Sequence, residues 1–186
     1  VDAQPIDVRN IMDLDRPNAP DPYGLLPAVP SFALTSTVLD AGARLPDRFS
    51  IGGANVSPPL AWSGFPDRTR SFTINCFDPD APTPAGYWHW GVANLPVGVT
   101  ALAEDAGSGD DTLPGGALHV RTDGGALAYE GAGPPPGDRA HRYVFAVHAL
   151  DVDALEVTAA TSPTKLAFLS LFHTLARATL TVTFSS

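Results

Sequence analysis

Proline and glycine interrupt this chain too often for long helices. The sequence holds nineteen prolines and seventeen glycines, roughly one residue in five against a usual share of about one in eight. Proline removes a backbone donor and breaks helix interiors, while glycine supplies the backbone freedom that turns need. Turn clusters fall at Asp40-Ala41-Gly42, Gly52-Gly53, Gly107-Ser108-Gly109, Pro114-Gly115-Gly116 and Asp123-Gly124-Gly125, which leaves room mainly for short elements.

The stretches between these turns read as strands. They are residues 31–36, 58–62, 70–77, 88–95, 142–150 and 180–184. In 70–77 the alternation puts Phe72, Ile74 and Cys76 on one side. Residues 142–150 are almost continuously apolar, which suits an inner strand. One helix is expected. Ser162 is a good N-cap and Pro163 suits the first helical position. Leu166, Leu169, Phe172 or His173, and Ala176 follow at helical spacing. Many strands and one late helix predict a mostly antiparallel β protein.

Length allows one domain of 31–186, and a chain of this size buries roughly two-thirds of its unfolded surface. Residues 1–30 hold six prolines, five aspartates and no sustained periodicity. They read either as an extended Pro/Asp-rich arm, packed on the domain or on a neighbour, or as a disordered leader. Their start, Val1-Asp2-Ala3-Gln4-Pro5, lacks a start methionine and has neither a basic nor an apolar signal region. No apolar run approaches the ~20 residues of a membrane span. The formal charge is −9 and the arginines are scattered, which excludes a surface that tracks nucleic-acid phosphates. Cys76 is the single cysteine, so neither an intrachain disulfide nor a cysteine zinc site can form. The expected location is the cytoplasm.

Three segments carry residues suited to chemistry. Asp78-Pro79-Asp80-Ala81-Pro82-Thr83-Pro84 follows a strand. Its prolines make a stiff loop holding carboxylates at the strand end, or else an aspartate-rich turn that caps its own backbone. Gly86-Tyr87-Trp88-His89-Trp90 sets a histidine between indoles. Desolvation there lowers its pKa and a nearby carboxylate raises it. The third segment is Tyr129-Glu130-Gly131-Ala132-Gly133-Pro134-Pro135-Pro136-Gly137, followed by His141-Arg142-Tyr143. Its glycines permit close approach of a ligand to backbone N–H groups, and His141 and Tyr143 share one strand face. Spacing alone does not join the third segment to the first two. The other histidines read plainly: His119 lies in a turn-rich stretch, His148 is on a strand, and His173 is on the helix. Trp62 reads as core.

Together with Ser57-Pro58-Pro59-Leu60-Ala61-Trp62, these segments resemble the phosphatidylethanolamine-binding protein family, in its bacterial, kinase-inhibitor-like branch. The resemblance runs from about Pro30 to Phe184. It implies a large antiparallel sheet packed with a smaller one, plus C-terminal helical structure. It also implies one small pocket for phosphate, phosphoryl head groups or carboxylates. By motif position the ligand-binding set is Asp78, Asp80, Pro82, Trp88, His89, Gly131, Gly133, Pro134, Pro135, His141 and Tyr143. Gly131 and Gly133 would offer backbone N–H groups, and the pocket is expected to be positive inside an acidic protein. The chain ends in a strand, unlike eukaryotic-type members, whose C-terminal helix covers the pocket mouth.

The leading expectation is a small-anion binder. The alternative is a small-molecule enzyme that uses Asp78, His89, His141 and Tyr143 for acid/base chemistry. A serine-triad hydrolase lacks its Gly-x-Ser-x-Gly motif, and the lone Lys165 argues against Schiff-base chemistry. Asp78, His89 and His141 also make a two-histidine, one-carboxylate set, but the resemblance requires no metal and no cofactor. The family label further raises a protein partner such as a kinase. The chain is expected to be a monomer or a homodimer.

Overall fold

The computed structural model describes residues 16–186. Two antiparallel sheets and one helix near the C-terminus make up the fold. The strands are β1 (Ala33–Thr35), β2 (Leu60–Ser63), β3 (Ser71–Asp78), β4 (Tyr87–Pro96), β5 (Ala101–Leu102), β6 (Leu118–His119), β7 (His141–Leu150) and β8 (Thr174–Phe184). The small sheet has the order β1-β2-β5 and the large one β6-β4-β3-β7-β8.

The main core lies between the sheets. Phe72, Ile74 and Cys76 of β3, with Phe145 and Val147 of β7, meet Leu60 and Trp62 of β2. The rings of Trp62 and Phe72 meet edge to face at 5.5 Å. The opposite face of the large sheet is covered by α1 (Pro163–Leu171), which buries Leu166 against Ala93, Val120 and Leu150. With cover on both faces, β7 is buried along almost its whole length, which explains its continuous apolar sequence.

One expectation needs correction. The helix was expected to reach Ala176, but it ends at Leu171 and Ala176 belongs to β8. Pairing wins over helical spacing here: Leu150 pairs with Thr174 and Ala149 with Ala176. His173 lies in the intervening turn, its Nδ1 2.9 Å from Asp151 Oδ1. The start of α1 is as read, since the Ser162 hydroxyl accepts the Lys165 N–H at 3.2 Å. Within its turn-rich stretch, His119 belongs to the short β6 and is fully buried, with Nδ1 2.9 Å from Asp110 Oδ1.

Of the arm, residues 1–15 lie outside the described residues. Residues 16–30 lie on the domain: Arg139 donates to the Arg16 carbonyl at 2.5 Å, Arg142 to the Ala19 carbonyl at 2.7 Å, and the Arg177 backbone to Pro30 at 2.9 Å. No helix among the described residues is long and apolar enough to cross a membrane.

Candidate functional site

The site sits where β3, β4 and β7 end. Antiparallel pairing fixes its parts: Asp78 is the last residue of β3, Tyr87 opposite it is the first of β4, and His141 is the first of β7. Asp78 and Tyr143 project to the same face as the main core, because they continue the alternation of Cys76 and Phe145.

A bulge in β4 sets the position of His89. Cys76 pairs with Trp90 and Phe77 with Trp88, so His89 is the extra residue. A bulge of this kind turns two consecutive side chains toward one side. Trp90 enters the core, while the His89 ring packs 4.8 Å from Tyr87 and 5.0 Å from Tyr143. Trp88 faces the opposite side of the sheet, against Phe77 at 4.4 Å.

The 129–137 loop reaches these strand ends through contacts distant in sequence. Ser50 and Ala132 form an isolated bridge, and the Tyr129 hydroxyl donates to the Phe49 carbonyl at 2.9 Å. Gly131 fits because a Cβ there would lie 2.5 Å from the Ser50 carbonyl carbon and 2.6 Å from the Ile51 nitrogen, both backbone atoms.

Between the loops lies a cavity of about 240 Å³ lined by Asp78, Pro82, His89, Gly131, Gly133, Pro134, Pro135, His141 and Tyr143. Tyr87 and Glu130 also line it. Asp80 and Trp88 are not in its wall. The Asp80 carboxylate is instead held by Arg142, with Nε donating at 2.7 Å and Nη2 at 2.8 Å. This strong pairing, with Arg139 nearby, outweighs burial and holds Asp80 below its ordinary pKa.

The two histidines have different environments. His141 is nearly inaccessible and lies between two carboxylates: Nδ1 is 2.7 Å from Asp78 Oδ2 and Nε2 is 3.0 Å from Asp138 Oδ2. Burial works against its charge, but the bonds and charges of Asp78 and Asp138 outweigh burial and raise its pKa. Both ring nitrogens are then donors, and neither is left for a ligand. His89 is the reverse. Its Nδ1 lies 2.9 Å from the Glu130 carbonyl, so Nδ1 carries the hydrogen. Burial is the largest influence and lowers its pKa, against a smaller raising effect of Asp78. The neutral ring therefore presents a bare Nε2, 4.0 Å from Asp78 Oδ2.

Asp78 anchors the site. Its Oδ1 accepts the backbone N–H groups of Asp80 at 2.8 Å and Ala81 at 3.0 Å, while Oδ2 accepts from His141. Asp138 is completed from the arm, since Arg16 donates to it at 2.9 and 2.6 Å. That bond is the main reason the Asp138 pKa lies far below the carboxylate range. The Tyr143 hydroxyl is buried and has no hydrogen-bond partner among the described residues. Burial, with the Asp78 charge, pushes its pKa well up, so it remains a neutral donor.

A family model described as phosphatidylethanolamine-binding protein matches residues 35–185. The chain belongs to the phosphatidylethanolamine-binding protein family. The UPF0098 protein YbhB of Escherichia coli K12 is 45% identical over 157 residues, which is 82% of this chain and 99% of the relative. The crystal structure of E. coli YbcL, described as a new member of the mammalian family, matches with a TM-score of 0.81 at 37% identity. That match covers 84% of this chain and 99% of YbcL. A homologue of the family from Chlamydia trachomatis matches with a TM-score of 0.74 at 31% identity, over 84% of this chain and 98% of the other.

Two site expectations, a free Gly131 N–H and a positive pocket, change. The Gly131 N–H is not free: it donates to Asn55 Oδ1 at 2.7 Å. The cavity wall is not a field of positive charge, because Asp78 and Glu130 line it while Arg16, Arg139 and Arg142 turn to Asp138 and Asp80. Asp78, His89 and His141 are neighbours, but both His141 nitrogens are engaged by carboxylates. No group of three ligating side chains among the described residues is placed to hold a metal.

Sequence reasoning missed Glu130, Asp138 and Arg16. Glu130 accepts from the Tyr87 hydroxyl at 3.0 Å and from Thr122 at 2.8 Å. Burial and Glu130 together push the Tyr87 pKa up to about 12. Of these residues, only Asp138 had an available signal. It stands three residues before His141, near enough to share its ring.

Proposed function

We propose that this protein binds a small oxyanion or an oxyanion-bearing group, such as phosphate, a phosphoryl head group or a carboxylate, in the 240 Å³ cavity. The observation that carries this reading is the convergence of two uncommitted polar groups, His89 Nε2 and the partnerless Tyr143 hydroxyl, on one small concave site. A buried donor without a partner costs about 1–3 kcal/mol, and an anion oxygen supplies the missing acceptor. Gly133 lines the same wall, and Pro82, Pro134 and Pro135 shape it at low entropic cost.

The carboxylates beside the cavity tune which anion is accepted. With Asp78 and Glu130 in the wall, a full anion is favoured only when His89 takes up a proton. Binding therefore couples to protonation of His89, whose Nδ1 is already fixed by Glu130.

Acid/base catalysis by the same residues is the weaker reading. His141 is held at both nitrogens and Tyr143 keeps its proton strongly, which leaves His89 without a matched acid. Calorimetric titration with inorganic phosphate tests the proposal. Wild type is expected to bind. Tyr143→Phe is expected to lose about tenfold in affinity with its melting temperature preserved. Turnover of a small molecule that vanishes in folded His89→Ala would favour the enzyme instead.

A further inference from the structure

On the α1 side of the large sheet lies a second cavity, of about 470 Å³, a volume in the range of small-ligand sites. It does not share its floor with the first. Its floor is Arg177 of β8 and the directly paired His148 of β7. Its walls are apolar: Pro22, Leu25 and Leu26 from the arm, Phe77 and Trp88 from the sheet, and Leu171 from α1.

Among the described residues, the charge on that floor has no ion-pair partner. Arg177 is 9% exposed, and its Nε and Nη2 have no hydrogen-bond partner among the described residues. Its guanidinium lies over the Tyr23 ring, 4.9 Å from the centroid. That contact attracts the cation but does not neutralise it. Burial pushes the Tyr23 phenol up, so it carries no negative charge. The Asp21 carboxylate accepts the Tyr23 N–H at 3.0 Å and makes no ion pair with Arg177. His148 adds no charge either, since burial and then the Arg177 charge lower its pKa to about 3. Its Nε2 is a further buried polar atom without a partner among the described residues. A buried cation left in this state is costly, whereas a carboxylate meets a guanidinium with two parallel hydrogen bonds.

We propose that this cavity is a second ligand site, taking an apolar molecule with a single carboxylate, whose carboxylate lies on Arg177 and whose apolar body lies against Leu25, Leu26, Trp88 and Leu171. A single negative charge balances the single cation, and a dianion would leave an excess in a dry site. The apolar walls favour a hydrocarbon chain or ring over a polar metabolite. Leu25 is 71% exposed at the rim, where the apolar body would cover it.

Titration calorimetry on the full chain tests this with three probes below their micelle concentrations: dodecanoate, dodecanol and dodecylammonium. Dodecanoate is expected to bind at least about tenfold more tightly than dodecanol, and dodecylammonium more weakly than both. Arg177→Met is expected to erase the preference for the acid over the alcohol. It should melt no lower than wild type, because it replaces an uncompensated buried cation with an apolar chain. Leu25→Asp, at the exposed rim, should weaken dodecanoate several-fold with stability unchanged. Neither variant should alter phosphate binding at the first site. Equal affinity for acid and alcohol, undiminished dodecanoate binding by folded Arg177→Met, or no saturable binding to the full chain would each overturn the proposal.

Discussion

Replacing Asp78 with asparagine should destabilise the fold by an amount that depends on pH in a defined direction. The substitution keeps Oδ1, which accepts the Asp80 and Ala81 N–H groups. It replaces Oδ2, 2.7 Å from His141 Nδ1, with an amide that cannot accept that bond. One charge-assisted hydrogen bond is worth about 1.5–3 kcal/mol. Breaking a buried ion pair by removing one partner costs about 3–5 kcal/mol. His141 limits the loss, since it retains Asp138 and can release its proton. A net cost of about 2–4 kcal/mol follows, or a drop in Tm of roughly 5–15 °C for a domain of this size. Because folding raises the His141 pKa, its stabilisation is complete below the unfolded value of about 6.5 and is lost as pH rises through the folded value. Urea unfolding of both proteins at pH 6 and pH 9 should therefore give a larger difference at pH 6. A difference that is constant, or larger at pH 9, refutes the assignment of His141 as a charged bridge.

Other consequences follow from the same contacts. Gly131→Ala should lower the melting temperature and displace the 129–137 loop, because the added carbon meets the backbone of Ser50 and Ile51; thermal melting and amide shifts of 131–133 report both. Cys76 is fully buried, and burial, followed by the Asp78 charge, raises its thiol pKa. Iodoacetamide should leave it unlabelled by mass spectrometry in the native protein and label it in urea. Arg16→Ala should cost about 1 kcal/mol of stability, since its bonds to Asp138 are partly exposed, and should widen the pH range over which His141 stays charged, because the guanidinium lies 3.2 Å from His141 Nε2 and opposes its proton.

The fold was legible where local rules coincide with tertiary demand. Ser162 and Pro163 mark the helix start, and alternation at Phe72, Ile74 and Cys76 marks the core face of β3. The helix end was not legible, because Phe172 and His173 keep helical spacing while β7 requires a partner from Thr174 onward. The site was legible in its residue types and, through family resemblance, in its grouping. What stayed hidden depends on irregular backbone or on distance. The bulge at His89 breaks the alternation that would put Trp88 and Trp90 on one face. Arg16 reaches Asp138 across 122 residues from a proline-rich stretch with no period. The free hydrogen of Gly131 is taken by Asn55, 76 residues away, a contact that no motif encodes.

The proposed role of His89 is to bind an anion by taking up a proton. Dimethyl phosphate keeps one negative charge throughout the neutral range, so its affinity between pH 5.5 and 8 reads the protein alone. Binding should tighten as pH falls, with a fraction of a proton absorbed on binding in buffers of different ionisation enthalpy, and both effects should be lost in His89→Ala. Affinity that stays flat across that range, with no proton uptake, would show that His89 does not bind the anion as a cation.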